Sequence, residues 1–136
     1  MKNMVIAILR VAVGLALVWV GLSWAVLSMV PIDEGETFGW RSLGVFTLVV
    51  AAIGFMSGLI SGRYLLVPAL LLSTVGWLLL INVLQWPEIK GGTGTFMSGV
   101  IERAPQVLWC NACLALGISM GYRLARRWKW VAPARN

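Results

Sequence analysis

Hydrophobic residues run along this chain in four long blocks, 4–30, 42–62, 64–86 and 105–124, broken by short polar segments. Each block is long enough, as an α-helix, to cross the roughly 30 Å of hydrocarbon in a bilayer. The pattern predicts an all-α integral membrane protein, an antiparallel bundle of four transmembrane helices. The first block would extend about 40 Å as a helix, so it must tilt or project beyond the membrane. It is too long for the apolar core of a signal peptide, and Val30-Pro31-Ile32 lacks the small-x-small pattern of a cleavage site, so it is expected to be retained. Pro31 is expected to end it. Little more than Ser61, Gly62 and Arg63 separates the second block from the third, which predicts a tight helical hairpin with Gly62 as a C-cap. Pro68 then falls in the first turn of the third block, where its missing N–H is harmless.

The connection 31–41 is acidic and too short to fold independently. The longest connection, 87–105, carries Gly91-Gly92-Thr93-Gly94, which reads as a flexible turn. No Gly-Lys-Ser or Gly-Lys-Thr follows it, so it is not a phosphate cradle. Beyond it Phe96, Met97, Val100 and Ile101 repeat at helical spacing and predict a short helix lying in the outer interface. The segments 31–38 and 87–96 share a faint proline-to-phenylalanine echo, which a duplicated helical hairpin would leave and which chance also produces.

Composition closes off a separate soluble domain. With 60% hydrophobic and 12% charged residues, the 136-residue chain is expected to be one domain, 1–136, with a basic tail over 125–136. The 11 Lys and Arg outnumber the 5 Asp and Glu, but their placement reads as topology and not as nucleic-acid binding. Lys2, Arg10, Arg63, Arg123, Arg126, Arg127, Lys129 and Arg135 gather at the N-terminus, the second connection and the tail. Asp33, Glu34, Glu36, Glu88 and Glu102 lie in the other two connections, where Arg41, Lys90 and Arg103 are the only bases. The predicted orientation has both termini in the cytoplasm of a bacterial-type inner membrane. Aromatic positions agree: Trp40, Trp86 and Trp109 mark an outer interface, and Tyr64, Tyr122, Trp128 and Trp130 an inner one.

Small residues predict how the helices meet. Gly54, Gly58 and Gly62 form a double small-xxx-small run widened by Ser57 and Ser61; Gly117 and Gly121 repeat the spacing, and Gly14, Gly21 and Ser28 recur every seven residues in the first block. Such ridges allow close backbone approach, either within the chain or against another subunit. Arg10 lies on the side of Gly14 and Gly21. It is expected to snorkel to inner headgroups, and it is also a candidate partner or lipid contact because no acid accompanies it on that side. Asn82, Gln85, Gln106 and Asn111 are expected to meet across antiparallel helices.

Cys110 and Cys113 form a Cys-x-x-Cys pair near the outer end of the fourth block. Its placement is similar to that of the active-site pair in the vitamin K epoxide reductase family, also at the start of a fourth transmembrane helix, and the resemblance implies thiol redox chemistry. It covers those two residues; that family also relays electrons through a second cysteine pair in a loop, and this chain has only 2 cysteines. The two share a stripe with Gly117 and Gly121, where cysteine packs as a small apolar residue, and packing is the preferred assignment. In size and helix count the chain also resembles the small multidrug resistance exporters. Those rely on a membrane-embedded carboxylate, and no Asp or Glu falls within a block here.

The chain has no histidine, which excludes histidine-ligated haem and imidazole acid–base catalysis; no metal or cofactor is expected. The function expected from these features is non-catalytic: an accessory or assembly subunit that binds a larger membrane complex through small-residue helix faces. Alternatives are a small homo-oligomeric channel or transporter, an immunity protein against a membrane-active toxin and, last, a thiol oxidoreductase.

Overall fold

A computed structural model describes residues 2–29 and 40–128, with only the backbone of Lys2 and Trp40. The acidic connection with Pro31, Asp33, Glu34 and Glu36, the interfacial placement of Trp40 and Trp130, and the basic tail from Lys129 lie outside the described residues. Every element is helical: α1 (Lys2–Met29), α2 (Trp40–Ser61), a 3-10 turn (Gly62–Leu65), α3 (Leu66–Gly91) and α4 (Phe96–Arg127). Three stretches are long and apolar enough to cross a membrane: Asn3–Met29, Arg41–Gly91 and Phe96–Arg127. The chain is thus an all-helical protein suited to a membrane.

The middle stretch combines the second and third hydrophobic blocks, because the backbone between them stays helical. Gly62 sits there at φ 71°, a left-handed conformation that glycine adopts without a Cβ penalty, and the 3-10 turn follows directly. Contacts on either side show the chain reversing. Gly54 and Gly58 of α2 lie against Leu114 and Ile118 of α4, the numbers rising together, so α2 and α4 run in the same direction. Thr74 meets Asn111 and Gln85 meets Gly99, the numbers running oppositely, so α3 and α4 are antiparallel. Gly14 lies against Ser61 and Gly21 against Ile53, which sets α1 antiparallel to α2.

The connection expected over 87–105 is much shorter in the structure. α3 continues through Pro87 to Gly91, and α4 begins at Phe96 and passes through Pro105, leaving only 92–95 between them. Neither proline breaks its helix; prolines are tolerated in membrane helices where neighbouring groups satisfy the freed carbonyls. The predicted interfacial helix is instead the first turns of α4. Both ends of this short loop are capped. Gly92 is left-handed at φ 74° and its N–H reaches the Glu88 and Ile89 carbonyls. Thr95 and Ser98 form a reciprocal capping box at the start of α4.

The core residues recur at helical intervals, mostly every fourth position. Val18, Leu22 and Ala25 of α1, Phe46 and Val50 of α2, Ala69 and Trp77 of α3, and Cys110, Leu114 and Ile118 of α4 form one buried cluster. Many large apolar side chains point outward, among them Leu9, Val20, Leu48, Leu71, Val83, Leu108 and Leu116. In water such a surface would aggregate; in lipid it is the solvent-compatible face.

Candidate functional site

The most closely built part of the molecule is the seam between α2 and α4. A Cβ on Gly54 would stand 2.7 Å from the Leu114 carbonyl oxygen, and one on Gly58 would overlap the Ile118 carbonyl. From the other helix, a Cβ on Gly117 would overlap the Ala51 carbonyl and one on Gly121 the Phe55 carbonyl. The two small-xxx-small runs therefore face each other, backbone on backbone. The same holds more loosely on α1, where Gly14 accommodates the Ser61 side chain and Gly21 the Ile53 side chain. Ser28, the third member of that series, is exposed. Gly62 belongs to the reversal and not to the seam.

Two threonines set the rotation of α4, and no pattern along the chain marks them. Thr47 on α2 donates to the Leu43 carbonyl at 2.7 Å and accepts from the Trp109 indole N–H at 2.9 Å. Thr74 on α3 donates to the Leu70 carbonyl at 2.8 Å and accepts from the Asn111 amide at 2.9 Å. Each hydroxyl closes a bond within its own helix and offers a lone pair to α4. Trp109 thus spends its N–H on Thr47 and not at a headgroup. The expected amide cluster is replaced by this arrangement: Gln85 packs over Gly99, Asn111 binds Thr74, and Asn82 is exposed with its side chain unbonded.

Cys110 and Cys113 are free thiols one turn apart on α4, 0% and 7% exposed. They face different neighbours. Cys110 lies beside Ser73 and Trp77 of α3, and Cys113 beside Thr47 of α2. Both therefore occupy helix contacts, as small core residues do. The Arg10 side chain is exposed, while its backbone carbonyl accepts from the Ser61 hydroxyl at 2.6 Å, the same side chain that Gly14 accommodates. Arg63 at the reversal donates to the Tyr64 hydroxyl at 3.2 Å and stands 5.0 Å from that ring's centroid. Among the described residues no three metal-ligating side chains come together.

A crevice of about 350 Å³ separates α1 from α3. Its walls are mostly apolar, with Ser23, Ser73 and the indole-bearing Trp19 and Trp77 among the lining residues. The polar groups of the interior that lack hydrogen-bond partners include the hydroxyls of Ser57 and Ser73 and the carbonyl oxygens of Gln85, Gln106 and Asn111.

These features define a small helical protein of the membrane type, closed by a glycine seam and threonine pins. No family model matches the chain, and no curated protein or solved structure is significantly similar to it.

Proposed function

We propose that the chain crosses a bacterial-type inner membrane four times, as an antiparallel four-helix bundle with both termini in the cytoplasm, and serves there as a non-catalytic subunit of a larger membrane complex. The alternating charge of its connections and the reversal at Gly62 support the four crossings. The glycine ridges, the docking surface suggested by sequence, are taken up by contacts of α2 with α4 and of α1 with α2. Docking therefore falls to another face, and one observation selects it. Asn82 is exposed on α3, about 6 Å along the helix from the interfacial Trp86. A side-chain amide presented to hydrocarbon is costly, and a hydrogen bond to a neighbouring helix relieves that cost.

The surrounding surface suits such a contact. Leu71, Val75, Leu78 and Asn82 are all exposed and follow one another at intervals of four, three and four residues, the seam of a helix pair with a polar residue to set its register. Purification of the tagged chain in mild detergent, followed by native mass measurement, tests the reading with an Asn82→Leu variant alongside. A larger membrane protein should co-elute at fixed stoichiometry with the wild-type chain and be lost from the variant, while the variant keeps its thermal stability. Elution of both as single chains would overturn the proposal. Self-association that disappears in the variant would replace it with a homo-oligomeric channel or transporter.

A further inference from the structure

The crevice between α1 and α3 has a chemical character that ordinary membrane filling does not match. α1 lies chiefly against α2, and its approach to α3 is propped by Trp19, whose ring edge sits over Gly76. The space beside that prop is bounded by Leu22 and Val26 of α1 and by Ser73 and Trp77 of α3. About 350 Å³ is at the lower end of the volumes that hold small ligands, roughly 300–1,000 Å³.

Ser73 determines what belongs there. Its side chain lines the crevice, the residue is 4% exposed, and its hydroxyl has no nitrogen or oxygen partner, with the Cys110 thiol beside it. The adjacent Cys110 thiol is a weak hydrogen-bonding group at best. A buried hydroxyl left unsatisfied in an apolar setting costs about 1–3 kcal/mol. Water finds there, besides the indole groups of Trp19 and Trp77, the two hydroxyls of Ser23 and Ser73, the low end of the two to four polar partners that an ordered water needs, while most of the lining is apolar. No charged residue lines the space, so an ionised headgroup would be unpaired. A phospholipid tail fills volume but brings no acceptor to this depth, about 10 Å along α3 from its first residue.

We propose that this crevice is a binding site for a neutral lipophile bearing a single acceptor oxygen, a ketone or ether on an apolar body, with the Ser73 hydroxyl donating to that oxygen. The inference rests on the chain being embedded in a membrane and not on the partner contact at Asn82. Trp77 and Leu22 enclose the apolar body, and the Trp19 ring over Gly76 bounds it at one side.

The test measures thermal stability of the purified, detergent-solubilised chain titrated with 2-pentadecanone and, separately, with pentadecane. The ketone should bind about threefold to tenfold more tightly than the alkane, the fold-change expected of one net hydrogen bond. Ser73→Ala should erase that preference while retaining the fold, and Val26→Trp should block both probes by filling the space. Equal binding of ketone and alkane would overturn the proposal and leave a groove for any lipid tail. A ketone preference that survives in Ser73→Ala would overturn it too, as would the absence of any shift with either probe. Because the readout uses the isolated chain, a negative result here leaves the Asn82 contact standing, and loss of that contact leaves this site standing.

Discussion

At Gly58 a single methyl group would run into the backbone of the opposite helix, whereas at Gly44 nothing lies within 4 Å of where a Cβ would be. The two positions share a helix and a residue type, so they separate packing from propensity. Gly58→Ala is expected to destabilise the protein by about 1–3 kcal/mol, the usual cost of overpacking a close contact. Gly44→Ala should be neutral or stabilising by up to about 1 kcal/mol, since alanine is the better helix former. Equilibrium unfolding in mixed micelles measures both, and equal effects would contradict the seam. The thiols follow the same logic of burial. Cys110 and Cys113 should resist maleimide in the folded protein and react after denaturation in SDS; rapid labelling of the native chain would return them to redox chemistry. Residues of this kind were only partly legible beforehand. Glycine spacing announces a ridge because only glycine has no side chain, but the roles of Thr47 and Thr74 depend on the rotation of α4, which no local pattern encodes.

The elements themselves were legible in their apolar interiors and obscure at their ends. The third and fourth helices extend well beyond their hydrophobic blocks, into 87–91 and 96–104. Polar residues and prolines disguised those turns as loop. Proline breaks a helix through a lost hydrogen bond and a steric clash with the preceding turn, yet Pro87 and Pro105, both exposed, lie inside regular helix, so the local signal marked no helix end here. The caps account for where the helices stop. Thr95→Ala should remove half of the capping box and weaken the start of α4 by about 1 kcal/mol. Amide hydrogen exchange should report faster opening over 96–99 with little change near Gly117. Uniform protection across both regions would show that packing, and not the cap, holds that end.

For the molecule as a whole, the charge pattern is the ground for the proposed orientation, and the helix directions are compatible with the proposed crossings. Lys90 and Glu88 accompany the short loop 92–95, while Arg63 accompanies the reversal at the other end of α3. In a background with both native cysteines replaced by alanine, Thr93→Cys should react with a membrane-impermeant thiol reagent on intact cells. A tag at the C-terminus should be reached only after lysis. The reverse pattern would invert the proposed orientation. Large exposed apolar surface on every helix is consistent with this setting, and it is why the amide of Asn82 stands out on an otherwise hydrocarbon-like exterior.

The glycine seam also imposes an order of events. α4 is the least apolar of the three membrane-compatible stretches, and its closest partner, α2, is made earlier in the same polypeptide. During synthesis α4 emerges after α2 and α3, and its Trp109 and Asn111 meet the hydroxyls of Thr47 and Thr74 on helices already made. In the proposed membrane setting, entry of α4 into the bilayer is expected to depend on those helices. A widened glycine on α2 would then be felt first at the ribosome, as a failure of the last helix to be accepted by the membrane, before it was felt as lost stability in the finished protein.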